Sequence, residues 1–273
     1  MQKEKHFQEH QKILAKYPDS VFDHVKYYVL FIGHGRSGHS LVGAILDAHP
    51  NIVIANELHA LPLFTLYNYA TRKIFKLILD RALEGASYQG WNNTGYNYNL
   101  PGLYQGSYEQ LEVIGDKKGG GSVRYCLKHP EILDELIRYL GPILKVIYVV
   151  RNPYDCLSAR AFRRGQEIHR DLIHDYFRFV DVALQWKHKL LPDQFYMLFH
   201  EKFVREKEQE IIRLCAYLDQ TAPPKYLQQC CQLINPSPHK RRYKTKWSTE
   251  HKDLVRSLMQ SEPYRFFFYD YAF

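Results

Sequence analysis

The sequence is poor in cysteine and has no long apolar run. Only five of its 273 residues are cysteines, and they show neither a zinc-ligand spacing nor a disulfide framework. Isolated thiols of this kind are typical of a reducing compartment. The mean hydropathy is −0.43, no stretch is long enough to span a bilayer, and the N-terminus lacks the apolar region of a signal peptide. We therefore expect a cytoplasmic protein without a membrane span.

Acidic residues are also in short supply. The chain has 29 Asp and Glu residues against 37 Lys and Arg, which gives a formal charge of +8. Such an excess favours an anionic ligand or an anionic surface. The densest basic stretch, residues 239–246, is short, and none of the nucleic-acid motif signatures is present. We expect no nucleic-acid partner, because one polyphosphorylated small ligand accounts for the charge.

The chain is organised around residues 25–57. Val25 to Ile32 is rich in β-branched and aromatic residues and predicts a strand. A glycine-rich stretch follows, then the apolar helix that begins at Leu41 and must stop near Pro50. Ile52 to Ile54 predicts a second buried strand. A glycine-rich turn between a strand and a helix directs backbone N–H groups at one point, so it binds an anion, typically a phosphate.

This turn lacks the lysine of an ordinary nucleotide-binding P-loop. Gly33, Gly38 and Ser40 fit the P-loop spacing, but His39 stands at the lysine position. That lysine normally contacts the β- and γ-phosphates of a nucleoside triphosphate, so an ordinary ATPase or GTPase is disfavoured. Arg36 lies inside the loop and can hold an anionic oxygen with two hydrogen bonds.

A second anion site is predicted where another strand ends. Lys145 to Val150 is a continuous β-branched run, typical of a buried parallel strand, and it leads directly into Arg151. Asn152 is a favourable N-cap and Pro153 a favourable first helical residue. Both turns should open at the same edge of a parallel sheet. One ligand with two separate anionic groups can then bridge them.

The remaining elements are predicted from apolar periodicity and turn residues. Helices are predicted over residues 58–83, 131–140, 166–191, 203–218 and 249–260, and a further strand over residues 195–199. Residues 1–20 predict a polar N-terminal arm, and residues 114–122 a glycine-rich turn with two lysines. Residues 88–108 are rich in Tyr, Asn and Gly, and they place a lid or acceptor-site insertion within residues 84–122. We predict one α/β domain over residues 1–273, with a central, mainly parallel sheet flanked by helices.

Two segments together resemble a known family. FIGHGRSGHSLVGAILDAHPN is similar to the 5′-phosphosulfate loop, and VIYVVRNPYD to the 3′-phosphate segment, of the sulfotransferases that use 3′-phosphoadenosine 5′-phosphosulfate (PAPS). A Gly-Asp-Lys turn lies between them, as in that family. The resemblance covers residues 25–60, 113–165 and 195–250, and it is closest to the tyrosylprotein and carbohydrate branch and its bacterial relatives. It implies a P-loop-like fold.

The resemblance also implies which residues hold the cofactor. The 5′-phosphosulfate would be held by the loop residues Arg36, Ser37, Gly38, His39 and Ser40. Arg151 would hold the 3′-phosphate, with Arg163 as a further basic contact, and Lys246 would close over the cofactor beside Trp247. The family's serine, eight residues after the arginine, is Ala159 here. Ser158 precedes it, and it takes that contact only if the helix shifts register.

The implied reaction moves a sulfuryl group from PAPS to a hydroxyl or amine and leaves adenosine 3′,5′-bisphosphate (PAP). A general base must take the acceptor's proton, and cations must stabilise the departing phosphate. Glu57, directly after the second strand, is the predicted base, and His129 is the alternative. Arg36 is the first predicted cation. Lys117 matches the Gly-Asp-Lys sequence of the family, whereas Lys128 matches the family's spacing to the arginine at position 151. Both therefore stay candidates for the second cation. This chemistry needs no metal.

Two other function classes fit the sequence less well. A P-loop kinase for small molecules would need the missing lysine and a carboxylate at a strand end to hold Mg²⁺. A non-catalytic nucleotide- or nucleic-acid-binding module would leave Glu57 beside the loop without a role. For the sulfotransferase, we expect the acceptor to be a carbohydrate or a small metabolite.

Overall fold

The computed structural model describes residues 2–66, 69–88, 90–93, 95–237, 239–267 and 271–273. In chain order its strands are β1 (Tyr27–Gly33), β2 (Ile52–Asn56), β3 (Asn92–Asn93), β4 (Tyr96–Asn97), β5 (Val113–Lys117), β6 (Leu144–Val150) and β7 (Phe195–Phe199). Five of them form one sheet in the order β2-β5-β1-β6-β7, and β3 pairs with β4 in a small hairpin. Each pair of neighbours in the large sheet is parallel, as predicted.

Helices cover both faces of this sheet. They are α1 (Gln2–Lys16), α2 (His39–Asp47), α3 (Leu61–Leu66), α4 (Thr71–Tyr88), α5 (Gly120–Lys128), α6 (Ile132–Leu140), α7 (Pro153–Arg164), α8 (Arg170–Lys189), α9 (His200–Arg205), α10 (Lys207–Tyr217), α11 (Pro224–Leu233) and α12 (Thr249–Gln260). In the part of the chain that the structure describes, none of them is long and apolar enough to cross a bilayer.

The two faces of the sheet bury two separate cores. Along β1, Leu30 and Ile32 pack into a core with α4, α5 and α8, while Val29 and Phe31 pack into a core with α2, α10 and α11. This alternation follows from the two-residue period of a strand. All four residues are 0% exposed, so the central strand is fixed from both sides and its carboxyl end is a rigid base for the turn that follows.

One strand of the large sheet was not predicted. Val113–Lys117 forms β5 between β2 and β1, where the sequence predicted the first half of a turn, and that prediction was wrong. Gly115 permits the close packing, because a Cβ there would overlap the carbonyl oxygen of Val29. The buried Asp116 accepts hydrogen bonds from the N–H groups of Leu58 (3.0 Å) and Ala60 (2.8 Å). The polar residues of this strand therefore have hydrogen-bond partners inside the fold.

Several helix boundaries also differ from the predictions. Residues 58–83 and 203–218 each contain parts of two helices instead of one, and α11 was not predicted. Helix α8 begins at Arg170 and not at residue 166, because the His169 side chain accepts a hydrogen bond from the N–H of Leu172 (3.3 Å) and caps the helix there. The last helix, over residues 249–260, is confirmed.

The predicted insertion is shorter than residues 84–122 and is anchored to α2. Helix α4 continues to Tyr88, and β5 begins at Val113. Between them, the indole Nε1 of Trp91 donates to Oδ2 of Asp47 (2.8 Å), and the N–H of Gly106 donates to the same oxygen (3.0 Å). This insertion, residues 90–112, is therefore tied to the helix that follows the glycine-rich loop. Its role as a lid or acceptor site stays a prediction.

Candidate functional site

A cavity of about 300 Å³ lies at the carboxyl edge of the sheet. The turns after β1, β2, β5 and β6 all open into it, as expected for a ligand site in an open parallel sheet. Its wall includes the glycine-rich loop, the strand-end residues Glu57, Lys117 and Lys118, the β4 hairpin and Arg151. On the other side the cavity is closed by His200, Val204, Leu233, Asn235, Ser237 and His239.

The glycine-rich loop reaches this cavity through two residues with left-handed backbone. Gly38 caps α2 with a φ of 108°, and Arg36 has a φ of 76°. A non-glycine residue in this region costs free energy, and such residues cluster at functional sites. A Cβ at Gly38 would overlap the ring of His200. Only glycine lets the loop pass so close to this wall, and the N-terminus of α2 faces the cavity.

His39 does not replace the P-loop lysine as a cation. The ring is 6% exposed, with one nitrogen 2.9 Å from the carbonyl oxygen of Ile32 and the other 3.0 Å from Oγ of Ser37. Burial lowers the pKa of His39 to about 4, so the ring is neutral near pH 7. Ser37 in turn donates to the carbonyl oxygen of His34 (2.9 Å). These side chains brace the loop from inside, and Arg36 and Ser40 remain beside the cavity.

Glu57 is held between two lysines. Its Oε1 is 3.1 Å from Nζ of Lys117, and its Oε2 is 3.0 Å from Nζ of Lys118. Lys117 also donates to Oγ of Ser40 (3.2 Å), so a single buried ammonium links the strand-end carboxylate to the glycine-rich loop. Burial alone would raise the pKa of Glu57, but the charge of Lys117 and the hydrogen bonds from both lysines outweigh it and lower that pKa.

Arg151 joins two of the cavity's walls. Its Nη1 donates to the carbonyl oxygen of Arg36 (2.9 Å), and its Nη2 donates to the carbonyl oxygen of His239 (2.5 Å). The predicted N-cap that follows is confirmed, because Oδ1 of Asn152 accepts from the N–H of Tyr154 (3.0 Å). The two predicted anion-binding turns therefore meet at this edge.

Five of the residues predicted for the site do not line the cavity, and Ser37, which lies behind the glycine-rich loop, is one of them. Ser158 is buried and accepts a hydrogen bond from the indole of Trp247 (3.0 Å). Lys246, which directly precedes Trp247 in the chain, is exposed. Lys128 lies at the far end of α5, about 12 Å along the helix from Gly120.

His129 lies at the same far end of α5 as Lys128. Its ring stacks on Tyr125 with the centroids 4.3 Å apart, and its Nδ1 is 3.3 Å from Glu131. Of the two candidate lysines, the structure brings Lys117 to Glu57. Of the two candidate bases, Glu57 is the one at the cavity.

Sequence reasoning missed part of this wall. Lys118 was noted only as a second lysine of a turn, yet it pairs with Glu57. Tyr96 and Tyr98 were placed only in a broad irregular segment, yet their rings stack in parallel at 5.8 Å and 2°. The guanidinium of Arg36 lies 5.8 Å from the Tyr96 ring. The signal for the two tyrosines was the spacing of two, which puts alternate residues on the same face of a strand.

His200 is a further wall residue that was not predicted to face the ligand. Burial lowers its pKa to about 3, so it is neutral near pH 7. It begins the helix directly after β7, and the carboxyl end of that strand lies at the same edge as those of β1 and β6. Its position could have been inferred from that rule alone.

Comparisons with known proteins agree on one family. The model of the family described as "Sulfotransferase family" matches residues 29–224. The sulfotransferase STF9 from Mycobacterium avium is 11% identical over 94% of this chain and 80% of its own, with a TM-score of 0.50. A sulfotransferase from Alicyclobacillus acidocaldarius is 14% identical over 90% of this chain and 94% of its own, also with a TM-score of 0.50. These structures show the fold. No curated protein of matching sequence was found.

Proposed function

Because this chain belongs to the sulfotransferase family, we propose that it transfers the sulfuryl group of PAPS to an acceptor hydroxyl. It is a transferase enzyme by its family and fold. The observation that carries the choice of donor is the meeting of two anion-binding turns, joined by the hydrogen bond from Arg151 to the carbonyl oxygen of Arg36. PAPS has anionic groups at both ends of its ribose, and two cationic turns at one cavity match that pattern.

The residues present fit such a donor. The N-terminus of α2, Arg36 and Ser40 would hold the 5′-phosphosulfate, because helix N–H groups and a guanidinium favour phosphate-like oxygens. Ser37 and His39 would support the loop from behind. Arg151 would hold the 3′-phosphate, and Arg163, which lines the same cavity, would assist it. The volume of about 300 Å³ is at the lower end of the ~300–1,000 Å³ typical of ligand pockets.

Glu57 is the proposed general base. The carboxylate is 47% exposed and sits at the strand end beside the glycine-rich loop, where it can reach an incoming hydroxyl. In this reaction the acceptor oxygen forms the new bond to sulfur, the bond from sulfur to the phosphate oxygen breaks, and Glu57 takes the hydroxyl proton. Lys117 and Arg36 would stabilise the charge that builds on the departing phosphate.

Lys117 also couples donor binding to the strength of the base. While it pairs with Glu57, the pKa of Glu57 is lowered and the carboxylate is a weak proton acceptor. A phosphosulfate at Ser40 would compete for the same ammonium, which already lies 3.2 Å from that hydroxyl. Drawing Lys117 toward the donor removes an opposite charge from Glu57 and raises its pKa. The base would then become stronger only when the donor is bound.

The acceptor is proposed to be a carbohydrate or a small metabolite with a hydroxyl or amine group. The support is the parallel pair of Tyr96 and Tyr98 rings in the cavity wall, with Asn97 between them. Flat aromatic faces beside an amide suit the apolar faces and polar edges of sugar rings.

The kinase alternative has less support from the site. His39 is neutral where a kinase of this loop type needs a lysine. Glu57, the carboxylate at the strand end, is already bound by two lysines and offers no oxygen free of a cation to hold Mg²⁺. A non-catalytic binding module would have no use for a carboxylate held in this way.

Nucleotide binding and transfer test the proposal directly. In calorimetry, PAP should bind at least tenfold more tightly than AMP, because the 3′-phosphate adds a charge-assisted contact worth roughly 1.5–3 kcal/mol. Labelled PAPS should then transfer its sulfuryl group to members of an acceptor library. Equal affinity for PAP and AMP would reject the assignment of the donor.

A further inference from the structure

Five basic residues lie on the segments that border one side of the cavity, the side of Gly35, Lys118 and Arg163. They form a basic rim, which consists of Lys118, Arg124, Arg160, Arg163 and Arg164. Gly35 itself is exposed, and a Cβ placed on it would meet nothing within 4 Å. There is therefore open space beside the glycine-rich loop at Gly35.

The geometry of two helices brings the rim together. Arg160, Arg163 and Arg164 are three and four residues apart on α7 and so share one face of that helix. Arg163 lines the cavity, and Arg160 pairs with Asp175 of α8. From α5, Nη1 of Arg124 lies 3.8 Å from the point where a Cβ on Gly120 would stand, and Gly120 is a wall residue.

The electrostatics agree with this proximity. Burial is the main reason that the pKa of Arg160 is lowered, and the charges of Arg164 and Arg124 lower it further. The pKa of His59, two residues after Glu57, is lowered first by burial and then by Lys118 and Arg124. Like charges from two helices and one strand end therefore act on the same small region.

Few carboxylates balance these cations. Arg160 pairs with Asp175 on α8 (3.1 Å), and Lys118 pairs with Glu57 (3.0 Å). Arg124, Arg163 and Arg164 have no carboxylate partner among the residues that the structure describes. Exposed like charges held together without a partner are unfavourable for the folded state, and an anionic ligand would relieve their repulsion.

We infer that the acceptor is itself anionic and that the basic rim holds a carboxylate, sulfate or phosphate group of the acceptor beside Glu57. This inference rests on the proposed function. The proposed donor contacts are Arg36, Ser40, Lys117, Arg151 and Arg163, which leaves Lys118, Arg124, Arg160 and Arg164 for a second ligand. Lys118 belongs to the basic rim and also pairs with Glu57. An anion bound at the rim therefore places the acceptor's neighbouring hydroxyl near the base.

The test uses protein saturated with PAP and a heparin-derived tetrasaccharide as the anionic probe. The test variant is Arg124→Gln with Arg164→Gln. Its control is Arg138→Gln, because Arg138 is an exposed arginine at the end of α6, away from the cavity. By calorimetry, the tetrasaccharide should bind the PAP complex, and the double variant should weaken that binding about tenfold or more, as expected for charge-assisted contacts. The control variant should bind as the wild type does, and neutral cellotetraose should not bind.

The PAP affinity measured in the same experiment separates the two proposals. If PAP does not bind, the proposed donor fails, whereas the response of the tetrasaccharide to the rim variant can still be read. The inference about the acceptor is overturned if the tetrasaccharide displaces PAP or does not bind the complex. It is also overturned if the double variant leaves tetrasaccharide binding unchanged but slows PAP association, since the rim would then only steer the donor. Tighter binding of a single-stranded oligonucleotide would assign the rim to nucleic acid instead.

Discussion

A carboxylate held by two ammonium groups is the residue-scale feature that most constrains the proposed chemistry. Glu57 has φ at 62°, a left-handed conformation that is uncommon outside glycine. That conformation turns the chain after β2, where the carboxylate meets Lys117 and Lys118. A glutamate needed only for solubility would not require a strained backbone and two dedicated partners. The arrangement fits a residue whose proton affinity is set by its two lysine partners.

Replacing Glu57 by glutamine tests this base. The amide keeps the size of the side chain but cannot accept a proton near neutral pH, so turnover should fall by about 10²–10⁴-fold. The affinity for PAP should stay within a few-fold, because Glu57 is not a donor contact. An aliphatic hydroxyl acceptor should be used, since an acidic phenol ionises partly without help. His129→Asn is the control and should cost little; the opposite pattern would make His129 the base.

The pH profile gives a second measure of the same group. The pKa of Glu57 is lowered in the unliganded protein. The carboxylate therefore stays ionised as the pH falls, and it is protonated only below the pH range in which an ordinary glutamate titrates. The acid limb of kcat/KM for PAPS reports the free enzyme, and that of kcat reports the complex. If Lys117 moves to the donor, the limb of kcat should lie at higher pH than the limb of kcat/KM. Coincident limbs would contradict this coupling.

Arg151 is the second residue whose loss should be diagnostic. Its guanidinium bridges the carbonyl oxygens of Arg36 and His239 and is proposed to hold the 3′-phosphate. Arg151→Ala should weaken PAP binding by about 10- to 150-fold, the equivalent of roughly 1.5–3 kcal/mol. It should leave AMP binding nearly unchanged, because AMP lacks the 3′-phosphate. An equal loss for both nucleotides in calorimetry would show that Arg151 only holds the two loops together.

Much of the site could be predicted at this scale because its residues follow strands directly. Arg36, Glu57 and Arg151 each lie within a few residues of a strand's carboxyl end, and the parallel sheet brings those ends together. Lys128 and His129 were selected by matching letters and distances along the chain. Sequence spacing does not show that α5 carries them away from the edge, so only the structure separates them from Lys117.

At the scale of elements, one buried carboxylate joins the insertion to two other elements. Oδ1 of Asp47 accepts the N–H of Ile54 (2.7 Å), and Oδ2 accepts Trp91 and Gly106. The end of α2, strand β2 and the insertion therefore share one hydrogen-bonding group. Because Tyr96 and Tyr98 belong to that insertion, their position at the cavity follows from this contact.

Trp91→Phe tests this anchor, because it keeps an aromatic ring while it removes the indole donor and part of the buried volume. The variant keeps an aromatic ring in a nearly fully buried place but removes the indole donor. We expect a loss of about 1–3 kcal/mol in the free energy of unfolding, because a buried acceptor loses one partner. Denaturant unfolding measures this loss. The KM for the acceptor should rise more than the affinity for PAP falls, and unchanged stability would show that the hydrogen bond does not hold the insertion.

Strand β5 shows why part of the fold could not be predicted. Its sequence, Val-Ile-Gly-Asp-Lys, has only two strand-forming residues, followed by three residues of types that are depleted in strands. The strand forms because its polar groups have tertiary partners: Asp116 accepts the N–H groups of Leu58 and Ala60, and Lys117 pairs with Glu57. Those partners are more than fifty positions away in sequence, so no local pattern contains them. By contrast, β1 and β6 are apolar runs and were predicted from composition alone.

At the scale of the whole molecule, we predict that catalysis does not need a divalent metal. Arg36 and Lys117 are the cations proposed to stabilise the departing phosphate, and no group of three or more His, Cys, Asp or Glu side chains is placed to bind a metal within the described residues. Transfer from labelled PAPS should therefore continue at its full rate after treatment with EDTA. Loss of activity on chelation, with recovery on adding Mg²⁺, would favour the kinase class.

The left-handed backbone at Arg36 implies that selection for activity has worked against selection for stability at this position. A non-glycine residue in that conformation costs about 1–2 kcal/mol, so Arg36→Gly should release strain while it removes the guanidinium beside the cavity. In a chain of this length, a gain of ~1 kcal/mol would raise the Tm by about 2–4 °C. A library selected only for thermal resistance should therefore enrich glycine at position 36 and accumulate well-folded but inactive variants.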